Sequence, residues 1–339
     1  MGRPRRAPVP WPLRLTLWAI GISVSMALGA FLLALALREV PRSQVVNAWG
    51  RASVPYLVGG FGAFLGASLA RGVRWWVLLG VRGVSVGLPR LLLVENTALG
   101  VNNALPIPIL DEAVRVGLLA PRGIPAGAVL ATMATQRTFE LGGQALLVGV
   151  GVVLLPPLRP LTPYVWGGIL GAAVATLALF LIGPRLGTIP LLGRLPLARD
   201  FGCTVAMLRR VPLRVGAAFL LTLAYALGIG VSGGLVAKAF ALSAPLLGTL
   251  FLTLITLFTS RWIPGLPASI GPFEFIAVTL LGLWGVERPV ALGFALVLHF
   301  LLFLPPTVVA AVYLPLAGYR SLRAVGDLLR PRPRLSLPG

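Results

Sequence analysis

Residues 213–241 read LRVGAAFLLTLAYALGIGVSGGLVAKAFA, with Arg214 and Lys238 as the only charges, one near each end. About 20 consecutive apolar residues suffice to cross the hydrocarbon core of a bilayer as a helix, so this run is read as a membrane span. Five more runs read the same way: Leu13–Leu37, Val54–Ala70, Ala126–Leu155, Pro163–Gly183 and Pro289–Ala317. Two further apolar stretches are broken. Leu88–Leu105 runs into a polar half-turn around Asp111 and Glu112, and Pro245–Gly285 is interrupted by Arg261-Trp262-Ile263-Pro264-Gly265-Leu266-Pro267. Composition agrees with these spans. The 339 residues are 57% apolar with 41 glycines besides, and only 11% are charged, against about 25% in ordinary soluble domains. The expected fold class is an all-α polytopic membrane protein, with about six full transmembrane helices and two broken or re-entrant elements around a central polar cavity.

The charge balance sets the topology. Twenty-nine basic residues face nine acidic ones, a formal net charge of +20. The arginines gather at the ends of apolar runs rather than along a polar domain, so no nucleic-acid partner is expected. Four basic segments stand out: the N-terminus, Arg71/Arg74/Arg82/Arg90, Arg185–Arg214, and Arg320–Arg334. Positive charge belongs on the cytoplasmic side, so all four are placed there. Parity then requires 88–118 to enter from the cytoplasm and return to it, and 245–285 to begin and end outside. The expected division is a basic cytoplasmic N-terminus (1–12), a single transmembrane domain (13–318) with re-entrant elements near 88–118 and 245–285, and a basic cytoplasmic tail (319–339). The first apolar run is too long for a signal-peptide core and is read as an uncleaved helix. A multi-pass plasma-membrane protein with both termini cytoplasmic follows.

Ionisable side chains within apolar helices cost about 2.5–3.5 kcal/mol each on insertion scales, so their positions carry information. They fall in three clusters. The first, on the first broken element, holds Glu95, Asn96, Asn102, Asn103, Asp111, Glu112 and Arg115, with Glu112 and Arg115 spaced to pair on one helix face. The second is the stripe Gln136, Glu140 and Gln144, with Arg137 beside it. Arg137 lies about 16 Å into its helix and needs a partner, of which Glu140 is the nearest in sequence. The third holds Arg261, Ser269 and Glu274 at the second break. Each cluster could be a structural ion pair locking a broken helix; three of them on two breaks and one flanking helix favour a functional cavity. Other features read as structural: Gly62 and Gly66 for helix packing, Trp75-Trp76 as an interfacial belt, Arg185–Arg214 as an amphipathic stretch on anionic lipid, and the lone His299 as a packing histidine. Cys203 is the single cysteine, so no internal disulfide and no paired-cysteine metal site can form. No cofactor is expected.

At these clusters the chain resembles the integral membrane domain of lysylphosphatidylglycerol synthases, the flippase-like membrane family, over roughly residues 13–318. Asn102-Asn103-Ala104-Leu105-Pro106 followed by Asp111-Glu112-Ala113-Val114-Arg115 is similar to the family's Asn, Leu-Pro, Gly-Glu and Arg pattern, one residue longer and without its intervening arginine and glycine. Gln136-Arg137-Thr138-Phe139-Glu140 keeps an arginine and an acid three residues on but lacks the family's first Glu. Leu266-Pro267-Ala268-Ser269-Ile270-Gly271-Pro272-Phe273-Glu274 resembles its break before a glutamate. The resemblance implies movement of a phospholipid or lipid-linked sugar between leaflets by a translocating half that lacks the synthases' soluble transferase domain. The expected substrate-binding residues are Arg137, Glu140, Arg115, Glu112, Asn102, Asn103, Arg261 and Glu274. Arginines would meet the lipid phosphate; carboxylates would hold them when empty. Membrane lipids are the expected partners, with a separate lipid-modifying transferase beside them. No enzymatic activity is expected. The alternatives are a membrane-embedded transferase using a lipid-linked donor with Glu112 or Glu140 as base, a small-solute transporter, or a structural partner of a transferase.

Overall fold

The structure, a computed structural model, describes residues 11–38, 40–83, 86–104, 110–189, 193–260 and 263–319. Among them the chain forms twelve α-helices and no strand. In order these are α1 (Trp11–Leu37), α2 (Arg42–Gly50), α3 (Val54–Leu79), α4 (Leu88–Ala104), α5 (Leu110–Leu119), α6 (Ala126–Leu154), α7 (Thr162–Ile182), α8 (Pro196–Arg209), α9 (Pro212–Ala239), α10 (Leu246–Ser260), α11 (Pro272–Gly282) and α12 (Arg288–Leu316).

Five helical stretches are long and apolar enough to cross a membrane: Val54–Arg82, Ala126–Leu154, Pro156–Gly187, Pro212–Ala239 and Arg288–Leu316. Ser23–Leu37 and Arg42–Gly50, bent by 75°, make a sixth if taken as one span. The outer surface suits lipid: Leu213, Leu316, Tyr164 and Val153 are 88%, 80%, 77% and 76% exposed. On α7 only Val165 and Ala172 are buried. A water-soluble protein rarely shows apolar surface on this scale. The chain is a multi-pass, all-α membrane protein.

Inside this shell α3 lies along α9, and α12 lies along α4. The second contact is very close: a Cβ at Gly100 would strike the carbonyl of Pro306. Pro305 and Pro306 interrupt the hydrogen-bond ladder of α12 because neither has an N–H. Nearby, the Phe303 carbonyl accepts from the Thr307 hydroxyl at 2.8 Å and from Asn103 Nδ2 of α4 at 3.2 Å.

The two interrupted stretches each become a pair of short helices in mutual contact. Glu95 on α4 lies 3.9 Å from Arg115 on α5, so the two helices fold back on each other. Likewise α10, of 15 residues, packs on α11, of 11. Each of these is shorter than one bilayer crossing needs. The break before α11 uses left-handed backbone at Ala268 (φ 60°), Ser269 (φ 63°) and Gly271 (φ 96°). At Gly271 a side chain is excluded twice, by the φ value and by the Gly29 backbone of α1 in the space a Cβ would take. The Ser25 hydroxyl of α1 donates to the Gly265 carbonyl at 2.8 Å.

Several sequence expectations are corrected. Helix α3 does not end at Ala70 but runs to Leu79. Arg71 and Arg74 are therefore not free surface charges: they are 7% and 0% exposed. The helix continues because both find carboxylates inside the protein. Trp75 is no interfacial residue either, being fully buried with its indole N–H donating to Thr132 Oγ1 at 3.2 Å, whereas Trp76 is 48% exposed. Among the described residues, a Cβ built at Gly62 or Gly66 would meet nothing within 4 Å, so no close helix approach within the chain requires glycine there. The segment after α1 contains the short helix α2, Arg42–Gly50. The basic stretch 185–214 contains α8, which packs on α6 and is tied to the end of α3 by Arg82–Asp200 at 3.6 Å.

Candidate functional site: a buried cage of arginines and carboxylates

Four helices bring eight charged side chains together. Helix α3 supplies Arg71 and Arg74, α4 supplies Glu95, α5 supplies Asp111, Glu112 and Arg115, and α6 supplies Arg137 and Glu140. Four positive charges thus face four negative ones. Arg137 stands at the rim with its side chain 47% exposed, while the other seven are between 0% and 19% exposed.

Half of the cage is tight. Arg74 donates to Glu140 at 2.7 Å, to Gln136 at 3.1 Å and to Thr222 of α9 at 3.3 Å. Arg137 reaches Asp111 at 2.6 Å, Glu112 at 3.1 Å and Glu140 at 3.5 Å. The other half is loose. Arg71 lies 3.4 Å from Glu95, and Arg115 lies 3.9 Å from Glu95 and 3.8 Å from Asp111. Among the described residues, both carboxylate oxygens of Glu95, the Nε atoms of Arg71 and Arg115, and Gln136 Nε2 are buried with no hydrogen-bond partner, as are Arg74 Nε and Glu112 Oε2 of the tighter half. Aromatic faces back the loose arginines: Arg115 sits 5.2 Å from the Trp75 ring centroid and Arg71 5.5 Å from that of Tyr225.

Buried polar atoms are nearly always paired, so an unpaired group of this size needs a physical reason. The reason is next to it. A cavity is lined by Arg71, Glu95, Arg115, Gln136, Arg137 and Glu140, and the loose donors border it. A second cavity shares Arg71, Leu99 and Tyr225 with the first and is otherwise mainly apolar, walled by Phe64, Ile229, Leu257, Leu302 and Phe303, with Asn103 at its edge. The protein therefore offers a polar chamber with spare cationic donors beside an apolar one. Guanidinium donors match carboxylate and phosphate oxygens in pairs, so the spare donors of the polar cavity are of the kind that meets an anionic group.

Of the residues expected from the sequence, Arg137, Glu140, Arg115 and Glu112 come together here. The pairing differs from expectation: Arg115 turns to Glu95 and Asp111, and Glu112 is taken by Arg137. Asn103 lines the second cavity, whereas Asn102, one helix position earlier, lines neither. Arg261 lies outside the described residues. Glu274 is apart from the cage: its Oε2 accepts the Gly271 N–H at 2.8 Å, capping α11, and its Oε1 contacts Nδ1 of His299. His299 Nε2 lies 2.9 Å from the Ala268 carbonyl, so this histidine ties α12 to the second break rather than only filling space. Sequence reasoning missed Arg71, Arg74 and Tyr225, and noted Glu95 and Asp111 without selecting them. A signal was present in the proline-free apolar run through Arg71 and Arg74 to Leu79, with the two arginines on one face.

No curated protein matches the chain. The family model described as lysylphosphatidylglycerol synthase TM region matches residues 18–310, a span that includes every residue of the cage and both cavities. On that match the chain belongs to the lysylphosphatidylglycerol synthase TM region family.

Proposed function

We propose that the protein is a lipid translocase, a flippase or scramblase that carries a phospholipid or lipid-linked sugar between the leaflets of the plasma membrane and performs no chemistry on it. The observation that supports this reading is the half-satisfied arginine cage opening onto an apolar chamber. In this reading the lipid phosphate meets Arg137 at the rim and settles between Arg71 and Arg115, while the start of an acyl chain occupies the apolar side near Phe303. The carboxylates hold the arginines in place when the site is empty, because an unpaired buried cation would be strongly unfavourable. A separate lipid-modifying transferase would supply or consume the lipid.

The test is reconstitution in liposomes with headgroup-labelled lipids, following leaflet accessibility with an impermeant quencher. Transport that depends on the headgroup and is abolished in Arg137→Ala is expected. Unchanged lipid movement in folded Arg137→Ala protein would sink the assignment.

A further inference from the structure

Glu95 differs from the other carboxylates of the cage. Asp111 and Glu112 hold Arg137 by hydrogen bonds, and Glu140 holds Arg74. Among the described residues, Glu95, 1% exposed, has no hydrogen-bond donor on either oxygen and is kept by the proximity of Arg71 and Arg115. Those are the arginines whose spare donors border the polar cavity. An anion bound there competes with Glu95 for both.

Charge counting then decides the outcome. The empty cage holds four arginines and four carboxylates, so it is neutral when all are ionised. A phosphodiester monoanion adds one negative charge to a site largely shut off from water, where an uncompensated charge is very unfavourable. Glu95 lies against Arg71 from α3 and Arg115 from α5, shares its cavity with Arg137 and Glu140 from α6 and Tyr225 from α9, and is surrounded further out by Arg74, Asp111 and Glu112, which are held in the neighbouring ion pairs. Among the described residues α12 adds His299, already engaged with Glu274, and Tyr313, whose ring lies 5.5 Å from the Arg90 guanidinium of α4. None of these can supply another positive charge. The remaining route to neutrality is to remove a negative one, and the carboxylate with no donors to lose is Glu95.

We infer that binding of a monoanionic headgroup is coupled to uptake of one proton by Glu95, which makes the protein an electroneutral proton–anion symporter. The inference rests on the anion site proposed above. The proton arrives from water with the headgroup through the rim at Arg137 and forms an O–H bond on a Glu95 oxygen. It returns to water when the headgroup leaves on the other side. One positive and one negative charge cross together, so net charge movement is zero.

The experiment is calorimetric titration of the detergent-purified protein with short-chain phosphatidylglycerol, in buffers of different ionisation heats between pH 6 and 8.5. One proton bound per lipid is expected, with affinity falling about tenfold per pH unit on the alkaline side. In Glu95→Gln the uptake and the pH slope should both vanish, and an infrared band of a buried protonated carboxyl, formed on lipid addition to the native protein, should be missing. Glu274→Gln should keep the slope. Lipid binding with no proton uptake by the native protein overturns the coupling, as does a slope that survives Glu95→Gln or disappears only in Glu274→Gln. Should Glu95→Gln not fold, the native protein's slope and infrared band decide. Absence of any binding refutes the anion site itself. Equal uptake with dimethyl phosphate supports the coupling while moving the substrate from a lipid to a soluble phosphodiester.

Discussion

Arg74 and Arg137 are both cage arginines, and the structure gives them opposite duties. Arg74 is fully buried with three side-chain acceptors from α6 and α9. Its loss leaves Glu140 and Gln136 short of a partner in a dry site, so Arg74→Ala should lower unfolding stability by about 3–5 kcal/mol. Arg137 carries comparable ion pairs, but its side chain is 47% exposed, and screening leaves such pairs worth about 1 kcal/mol or less. Arg137→Ala takes a partner from Asp111 and Glu112, but at a rim open to water, so it should lose less stability in detergent than Arg74→Ala while losing transport. Thermal unfolding of the two variants side by side checks this. Equal losses of stability would mean that the rim is as much scaffold as the interior.

At the scale of the helices, the α4–α12 contact positions the cage against the apolar chamber. Because a Cβ at Gly100 meets the Pro306 carbonyl, Gly100→Val must push these helices apart. It should cost about 1–3 kcal/mol or more and weaken the Asn103–Phe303 contact. Gly62→Ala, where nothing is met, should change stability by about 0.5 kcal/mol or less; melting temperatures of both variants report the difference. The long helices were legible in the sequence because a bilayer sets a minimum apolar length, and α6, α9 and α12 begin and end within about two residues of the runs read for them. The end of α3 was not. An arginine after an apolar run looks the same whether it meets lipid headgroups or a buried carboxylate, and what settles it for Arg74 is Glu140, 66 positions away. The polar stripe of α6 and the acids of α5 were legible as a cavity; their partners were not, for pairing across helices depends on packing that no local pattern records.

Across the whole molecule, orientation is the property most open to direct test. Cys203 is the single cysteine of the chain and is exposed on α8, in the basic stretch placed in the cytoplasm. A membrane-impermeant maleimide should label it in inside-out vesicles and not in intact cells. Labelling of intact cells would invert the topology and with it the face on which Arg137 opens. The contact between α1 and the second break has a different kind of consequence. Ser25 waits for a carbonyl 240 residues further along, and Gly29 for the backbone at Gly271. At a synthesis rate of about 5–20 residues per second, the ribosome delivers that partner tens of seconds after the first helix has emerged. Until then, α1 must stay in lipid on its own hydrophobicity, and a nascent chain stopped before residue 265 would keep its first helix unanchored, exposed to quality control.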